Sequence, residues 1–264
     1  MGFIGIAILL GVVEGLTEFL PVSSTGHLIV AGHLLGFQGE NSQTFEIFIQ
    51  LGAILAVVVL ERRRFLDLLR RGRPGGFSGL RGCALLLTTT LPALATGAPV
   101  HDWIKDNLFG PATVAWALAL GGAALLLVER FRPASRVRDV DGLGYRHALV
   151  IGLFQCLALW PGVSRSGATI VGGLLCGLER RTAAHYSFLA AVPVMAAATL
   201  YDLMKSWSHL GSHEIAPFAV GFLVAFLCAW AAMRWFVTLL GRHTLRPFAW
   251  YRIIIAPAVY FLVK

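Results

Sequence analysis

The chain has 264 residues, 57% of them apolar and 14% charged, with a net charge of +8. A mean hydropathy of +0.73 excludes an ordinary soluble domain and points to an integral membrane chain. The basic residues sit in short connections between apolar runs, so they read as topology signals and contacts to membrane lipids; no nucleic-acid partner is expected.

The apolar segments, in chain order, are 3–20, 24–37, 44–60, 83–99, 111–129, 147–160, 167–178, 185–203, 216–236 and 249–263. The first lacks a basic leader and contains Glu14 and Glu18, so a cleaved signal peptide is not expected. A full crossing takes about 17–25 apolar residues, and several segments are too short for one. Two adjoining pairs are divided by turn-forming residues: Pro21-Val22-Ser23-Ser24 separates 3–20 from 24–37, and Pro161-Gly162-Val163-Ser164-Arg165 separates 147–160 from 167–178. Proline stops a helix and serine can cap the next one, so each pair predicts a re-entrant helical hairpin. Cys83, Cys156, Cys176 and Cys228 lie in apolar stretches without metal-ligand spacing and read as packing residues.

The two breaks belong to an internal repeat at an offset of 141 residues. Residues 23–36 read SSTGHLIVAGHLLG and residues 164–177 read SRSGATIVGGLLCG, with seven of fourteen positions identical. The offset also pairs Gly11 with Gly152 and Phe45 with Tyr186, whereas Glu14 faces Gln155, Glu18 faces Leu159, Ser24 faces Arg165 and His27 faces Ala168. A duplicated scaffold with diverged polar residues predicts one site built from two unlike halves. We expect a single membrane domain over 1–264, with repeat one at 1–130 and repeat two at 145–264. Each half would hold one re-entrant hairpin and three transmembrane helices, in an all-α polytopic fold.

Three crossings are an odd number, so the second repeat should enter the bilayer inverted. Loop charges agree. Connection 61–82 carries seven arginines and 130–146 carries five, whereas 37–44 has no lysine or arginine and 100–110 and 204–215 have only Lys105 and Lys205. Placing the arginine-rich loops in the cytoplasm opens the first hairpin outward and the second inward, with their tips near the midplane.

Glu14 and Glu18, four residues apart, share a helix face. An acid inside a membrane helix costs about 2.5–3.5 kcal/mol on insertion scales, so both are functional candidates. Glu18 also ends its half-helix, where the dipole disfavours an anion, and calls for a cation, proton or metal. The plainer alternative is a protonated carboxyl bonded to a neighbouring helix. Ser24 and His27 begin the next half-helix on one face, where free N–H groups bind anions and a histidine can move a proton. Ser23 and Thr25 flank them; simple capping and packing would also account for these residues. Arg165 is the basic residue of the second tip, suited to bidentate phosphate contact, with Ser164, Ser166 and Thr169 around it. Its plainer role is an ion pair with Glu14 or Glu18. Together these residues describe a phosphoryl site, with the two carboxylates as possible ligands of a hard cation.

EGLTEFLPVSSTGH at 14–27 and PGVSRSGATI at 161–170 closely resemble the signature segments of the undecaprenyl-diphosphate phosphatase family, also known as bacitracin-resistance proteins. The resemblance runs essentially end to end. It implies a multi-pass enzyme of the bacterial plasma membrane whose substrate is a polyprenyl diphosphate lipid. Removing the terminal phosphate of undecaprenyl diphosphate would regenerate the carrier lipid for cell-wall synthesis. It implies further that Glu14, Glu18, Ser24, His27, Ser164, Arg165 and Thr169 occupy active-site positions, that the site opens to the periplasm, and that Mg²⁺ or Ca²⁺ is required. The acid-phosphatase-like lipid phosphatases also use Gly-His and Ser-Arg pairs but need a second histidine soon after the latter, and Ala168 to Leu175 contains none. Either Ser24 or a water is left as the nucleophile. A transporter of polyprenyl phosphate or a small anion is the rival from another class, since inverted repeats suit transport. A homodimer is one assembly the sequence permits.

Overall fold

The computed structural model describes residues 2–37, 39–70, 76–206 and 215–263. Among them the chain forms eleven α-helices: α1 (Phe3–Thr17), α2 (Ser24–Leu35), α3 (Glu40–Leu60), α4 (Arg62–Leu68), α5 (Gly79–Leu108), α6 (Pro111–Phe131), α7 (Tyr145–Cys156), α8 (Arg165–Leu175), α9 (Arg180–Ser206), α10 (Ile215–Leu240) and α11 (Arg246–Leu262). The one β contact among these residues is an isolated parallel bridge between Val137 and Leu178.

Helices α5, α6, α9 and α10 are long and apolar enough to cross a membrane, and α3 with α4, bent by 77°, makes a fifth candidate. The protein is therefore an all-α, multi-pass membrane protein. The sequence predicts six crossings; the sixth, α11, has 17 residues, fewer than the about 20 of a typical span. Two connections expected to be loops are partly helical. Arg62–Leu68 forms α4, and α5 continues past Pro99 to Leu108. Arg71 and Arg73, part of the charge argument for topology, lie outside the described residues, as does the side chain of Lys205.

Both predicted breaks are present. Helix α1 stops at Thr17, the chain turns through Pro21, and α2 packs back against α1. Helix α7 runs into a single 3₁₀ turn at Leu157–Leu159, turns through Pro161-Gly162, and α8 packs back against α7. At 15 and 12 residues, α1 and α7 extend about 22 and 18 Å, short of a ~30 Å hydrocarbon core. Helix α1 lies along α10, and α7 lies along α5. Glycine allows both approaches: a Cβ on Gly15 would stand 2.6 Å from the Ala225 carbonyl oxygen, and one on Gly152 would stand 2.7 Å from that of Thr89. Small residues at such crossings let membrane helices pack backbone to backbone.

The main apolar core runs through Phe19, Val22, Ile170, Leu174, Phe188 and Phe236, so both tips are enclosed by protein. Irregular backbone at membrane depth needs that enclosure. Of the four cysteines, all free, Cys83 is exposed and the other three are half-buried, so the expectation of packing residues fails for Cys83.

Candidate active site

The tips meet. Ser23 and Ser164, the residues just before α2 and α8, have φ of 72° and 73°, the two positive-φ non-glycine residues among those described. They are also equivalent in the repeat. Strained backbone of this kind survives where surrounding structure dictates it, which happens often at functional sites. Ser164 caps α8 by accepting the Gly167 N–H at 3.1 Å, whereas the Ser23 side chain makes no capping bond. Across the junction, Ser166 Oγ donates to the Leu20 carbonyl at 2.7 Å and lies 3.0 Å from Ser164 Oγ.

Glu18 occupies the centre of this contact and is 8% exposed. Its Oε2 accepts from Ser24 Oγ at 2.5 Å, and its Oε1 accepts from Arg165 Nη2 at 3.0 Å. Arg165 also donates through Nη1 to the Ser187 carbonyl at 3.2 Å and stacks over Phe19 at 5.2 Å. Its Nε is buried without a partner. Buried guanidinium donors are almost always satisfied, so an unfilled one beside two helix starts is suited to an anionic ligand. Thr169 supports the arrangement by sharing a 2.7 Å hydrogen bond with Ser187 Oγ, while Thr25 is half-buried in the first turn of α2. Glu14 lies one turn before Glu18 and is 2% exposed; the charges acting on it are Glu18, Glu46 and Arg165.

His27 lies one turn after Ser24 in α2, and its ring bonds to Ser23 and Tyr251. Its Nδ1 lies 2.7 Å from the Ser23 carbonyl and its Nε2 lies 2.6 Å from Tyr251 Oη, with the two rings stacked at 5.5 Å. A carbonyl only accepts, so Nδ1 donates to Ser23; in the neutral ring that leaves Nε2 to accept from the tyrosine hydroxyl. The group that meets the Ser24 proton is Glu18.

Sequence reasoning passed over Ser187, Glu46 and Tyr251. Glu46 and Ser187 are themselves a pair at the 141-residue offset, adjoining the recognised pair Phe45 and Tyr186. That register was the available signal; each was overlooked as a polar residue near the end of an apolar segment.

A serine hydroxyl on a carboxylate, an arginine with a spare donor and two helix N-termini can receive a phosphate group and move a proton. Comparison with known proteins gives the same direction. The family described as "Bacitracin resistance protein BacA" matches residues 7–258. The chain belongs to this family. Both tips of this bacitracin resistance family member fall inside the match. A relative from Nitratidesulfovibrio vulgaris is 58% identical over 257 residues, 97% of each chain. One from Maridesulfovibrio salexigens is 56% identical over 255 residues, again 97% of each, and one from Desulfovibrio desulfuricans is 53% identical over 257 residues, 97% of each. All three relatives bear the name undecaprenyl-diphosphatase.

Proposed function

We propose that this protein is an undecaprenyl diphosphatase of the bacterial plasma membrane, converting undecaprenyl diphosphate to undecaprenyl phosphate and inorganic phosphate. The reaction returns the carrier lipid to cell-wall synthesis. The observation that carries the reading is the division of Glu18 between Ser24 and Arg165, which joins a hydroxyl, its base and a phosphate-binding cation in one contact.

Arg165 and the N–H groups opening α2 and α8 hold the diphosphate, with Ser23, Thr25, Ser164, Ser166 and Thr169 shaping the cradle. Ser24 Oγ attacks the terminal phosphorus while its proton passes to Glu18. The bond from that phosphorus to the bridging oxygen breaks, and undecaprenyl phosphate leaves. Water then hydrolyses the phosphoserine: its hydroxyl joins phosphorus, the bond from phosphorus to Oγ breaks, the water's other proton goes to Oγ, inorganic phosphate leaves, and Glu18 loses its proton to solvent. Positioning and charge stabilisation supply most of such a rate enhancement. His27, tied to Ser23 and Tyr251, holds the first tip in register.

Among the described residues no group of three or more His, Cys, Asp or Glu converges as a complete metal cage. Mg²⁺ is commonly held by one or two carboxylates together with substrate phosphates, which fits the buried Glu14 beside Glu18. Glu14 and Glu18 would hold the Mg²⁺ or Ca²⁺, which when bound offsets negative charge on the phosphate oxygens.

The two halves form an inverted repeat, and the site opens to the periplasm. Three observations support this: the shared φ of Ser23 and Ser164, the matched packing of α1 on α10 and α7 on α5, and the arginine-rich loops. The same symmetry suits a transporter, but only an enzyme needs a hydroxyl paired with a base. Purified protein should release inorganic phosphate from undecaprenyl diphosphate in detergent. Movement of the lipid across vesicles without phosphate release would favour the transporter.

A further inference from the structure

Among the described residues the largest fully buried side chain is Arg252 of α11, at 1% exposed. Its partners are all backbone carbonyls. Nε donates to Leu118 at 3.3 Å, Nη2 donates to Ala117 and Gly162 at 3.1 Å each, and Nη1 reaches Pro21 at 3.5 Å. Among the described residues no carboxylate stands within ion-pair distance of it. An uncompensated guanidinium is costly inside a membrane protein, and arginine does not shed its proton to escape that cost. Its four acceptors explain why it stays.

Pro21 belongs to the first tip and Gly162 to the second, and both carbonyls lie where a helix has ended and its ladder is broken. Ala117 and Leu118 belong to the continuous helix α6. One planar fork therefore ties both breaks to a rigid element. Two glycines make room for it: a Cβ on Gly121 would collide with Nη2, and one on Gly167 would stand 3.0 Å from Nη1. Pro21 precedes Ser24 by three residues, and Gly162 precedes Arg165 by three. Movement of either carbonyl carries a reacting or phosphate-binding group with it.

We infer that Arg252 is a positioning residue, clamping the two tips to α6 so that Ser24 and Arg165 stay opposed across Glu18. The kinetic consequence rests on the phosphatase reading; the clamp itself does not.

Two readouts test it in the full-length protein. Hydrogen exchange followed by mass spectrometry reports the tips directly. Arg252→Met, Arg252→Lys and Gly121→Ala should speed exchange in both tip peptides together while α5, α9 and α10 keep their protection. Gly121→Ala retains the arginine and displaces it, which covers a failure of Arg252→Met to fold. In phosphate release from undecaprenyl diphosphate, Arg252→Lys keeps the charge, so kcat should fall while KM stays within about threefold. An ångström of misplacement is worth roughly a hundredfold in rate. Arg252→Met should fall further. Wild-type exchange at both tips, or loosening spread evenly through the protein, would overturn the clamp, as would an unchanged kcat in an active background. If the unsubstituted protein released no phosphate, the phosphatase reading alone would fail, and exchange would still decide the role of Arg252.

Discussion

Glu18 gives one carboxylate oxygen to Ser24 and the other to Arg165, so neither contact can be altered without disturbing its neighbour. Glutamine is nearly isosteric but has a single acceptor oxygen, and its NH₂ group cannot receive the serine proton. Glu18→Gln should lower turnover by about 10²–10⁴-fold, the usual range for a lost general base, with the protein still monodisperse on gel filtration. Arg165→Lys should also lose most turnover, because an ammonium cannot reproduce a forked contact to phosphate. Near-wild-type rates in either variant would reduce the pair to scaffolding. Chelation tests the cation role of Glu14 and Glu18: hydrolysis should disappear and return with Mg²⁺ or Ca²⁺. Full activity in metal-free protein would leave Glu14 and Glu18 to proton handling alone.

Helices α1 and α7 show how a short apolar segment becomes a half-helix with a reactive end. Gly15 lets α1 settle on the α10 backbone, where an added Cβ would lie 2.6 Å from both the Ala225 oxygen and Cys228 Cβ. Backbone cannot retreat as a flexible side chain does. Gly15→Val should destabilise the protein by about 1–3 kcal/mol or more, measured as thermal unfolding in detergent. An unchanged midpoint would mean that α1 is held by its tip rather than by α10. Much of this architecture was legible because proline and serine interrupt otherwise apolar sequence at equivalent places, and because Glu14, Glu18 and Arg165 stand out against such surroundings. Tyr251 and Arg252 were not legible. They sit near the start of an ordinary apolar segment, and Tyr251 meets His27 from 224 residues away, a contact no local pattern encodes. His27 was recognised as polar chemistry, but its ring orientation depends on that distant hydroxyl.

Over the whole molecule, the proposed orientation rests on loop charge and the internal repeat. In a background without the native cysteines, of which Cys83 is exposed, a cysteine replacing exposed Asp106 should react with an impermeant maleimide outside intact cells. One replacing exposed Arg138 should react only after permeabilisation. Labelling of both from one side would contradict the inverted arrangement and leave the chemistry to be explained by an ordinary bundle. The meeting of the two tips brings two unlike helix starts to one place, one carrying Ser24 and the other Arg165.

In the proposed reaction Ser24 attacks phosphorus with Glu18 as its base. Rapid-quench measurement with undecaprenyl diphosphate radiolabelled in its terminal phosphate tests this most directly. A transient acid-stable phosphoserine should form at Ser24 in the unsubstituted protein and not in Ser24→Ala, whose turnover should fall by several decades. A lost hydrogen bond to a charged group is worth only about 1.5–3 kcal/mol, roughly ten- to a few hundredfold in rate. A decline confined to that range, with no phosphoenzyme in the unsubstituted protein, would make water the nucleophile instead of Ser24.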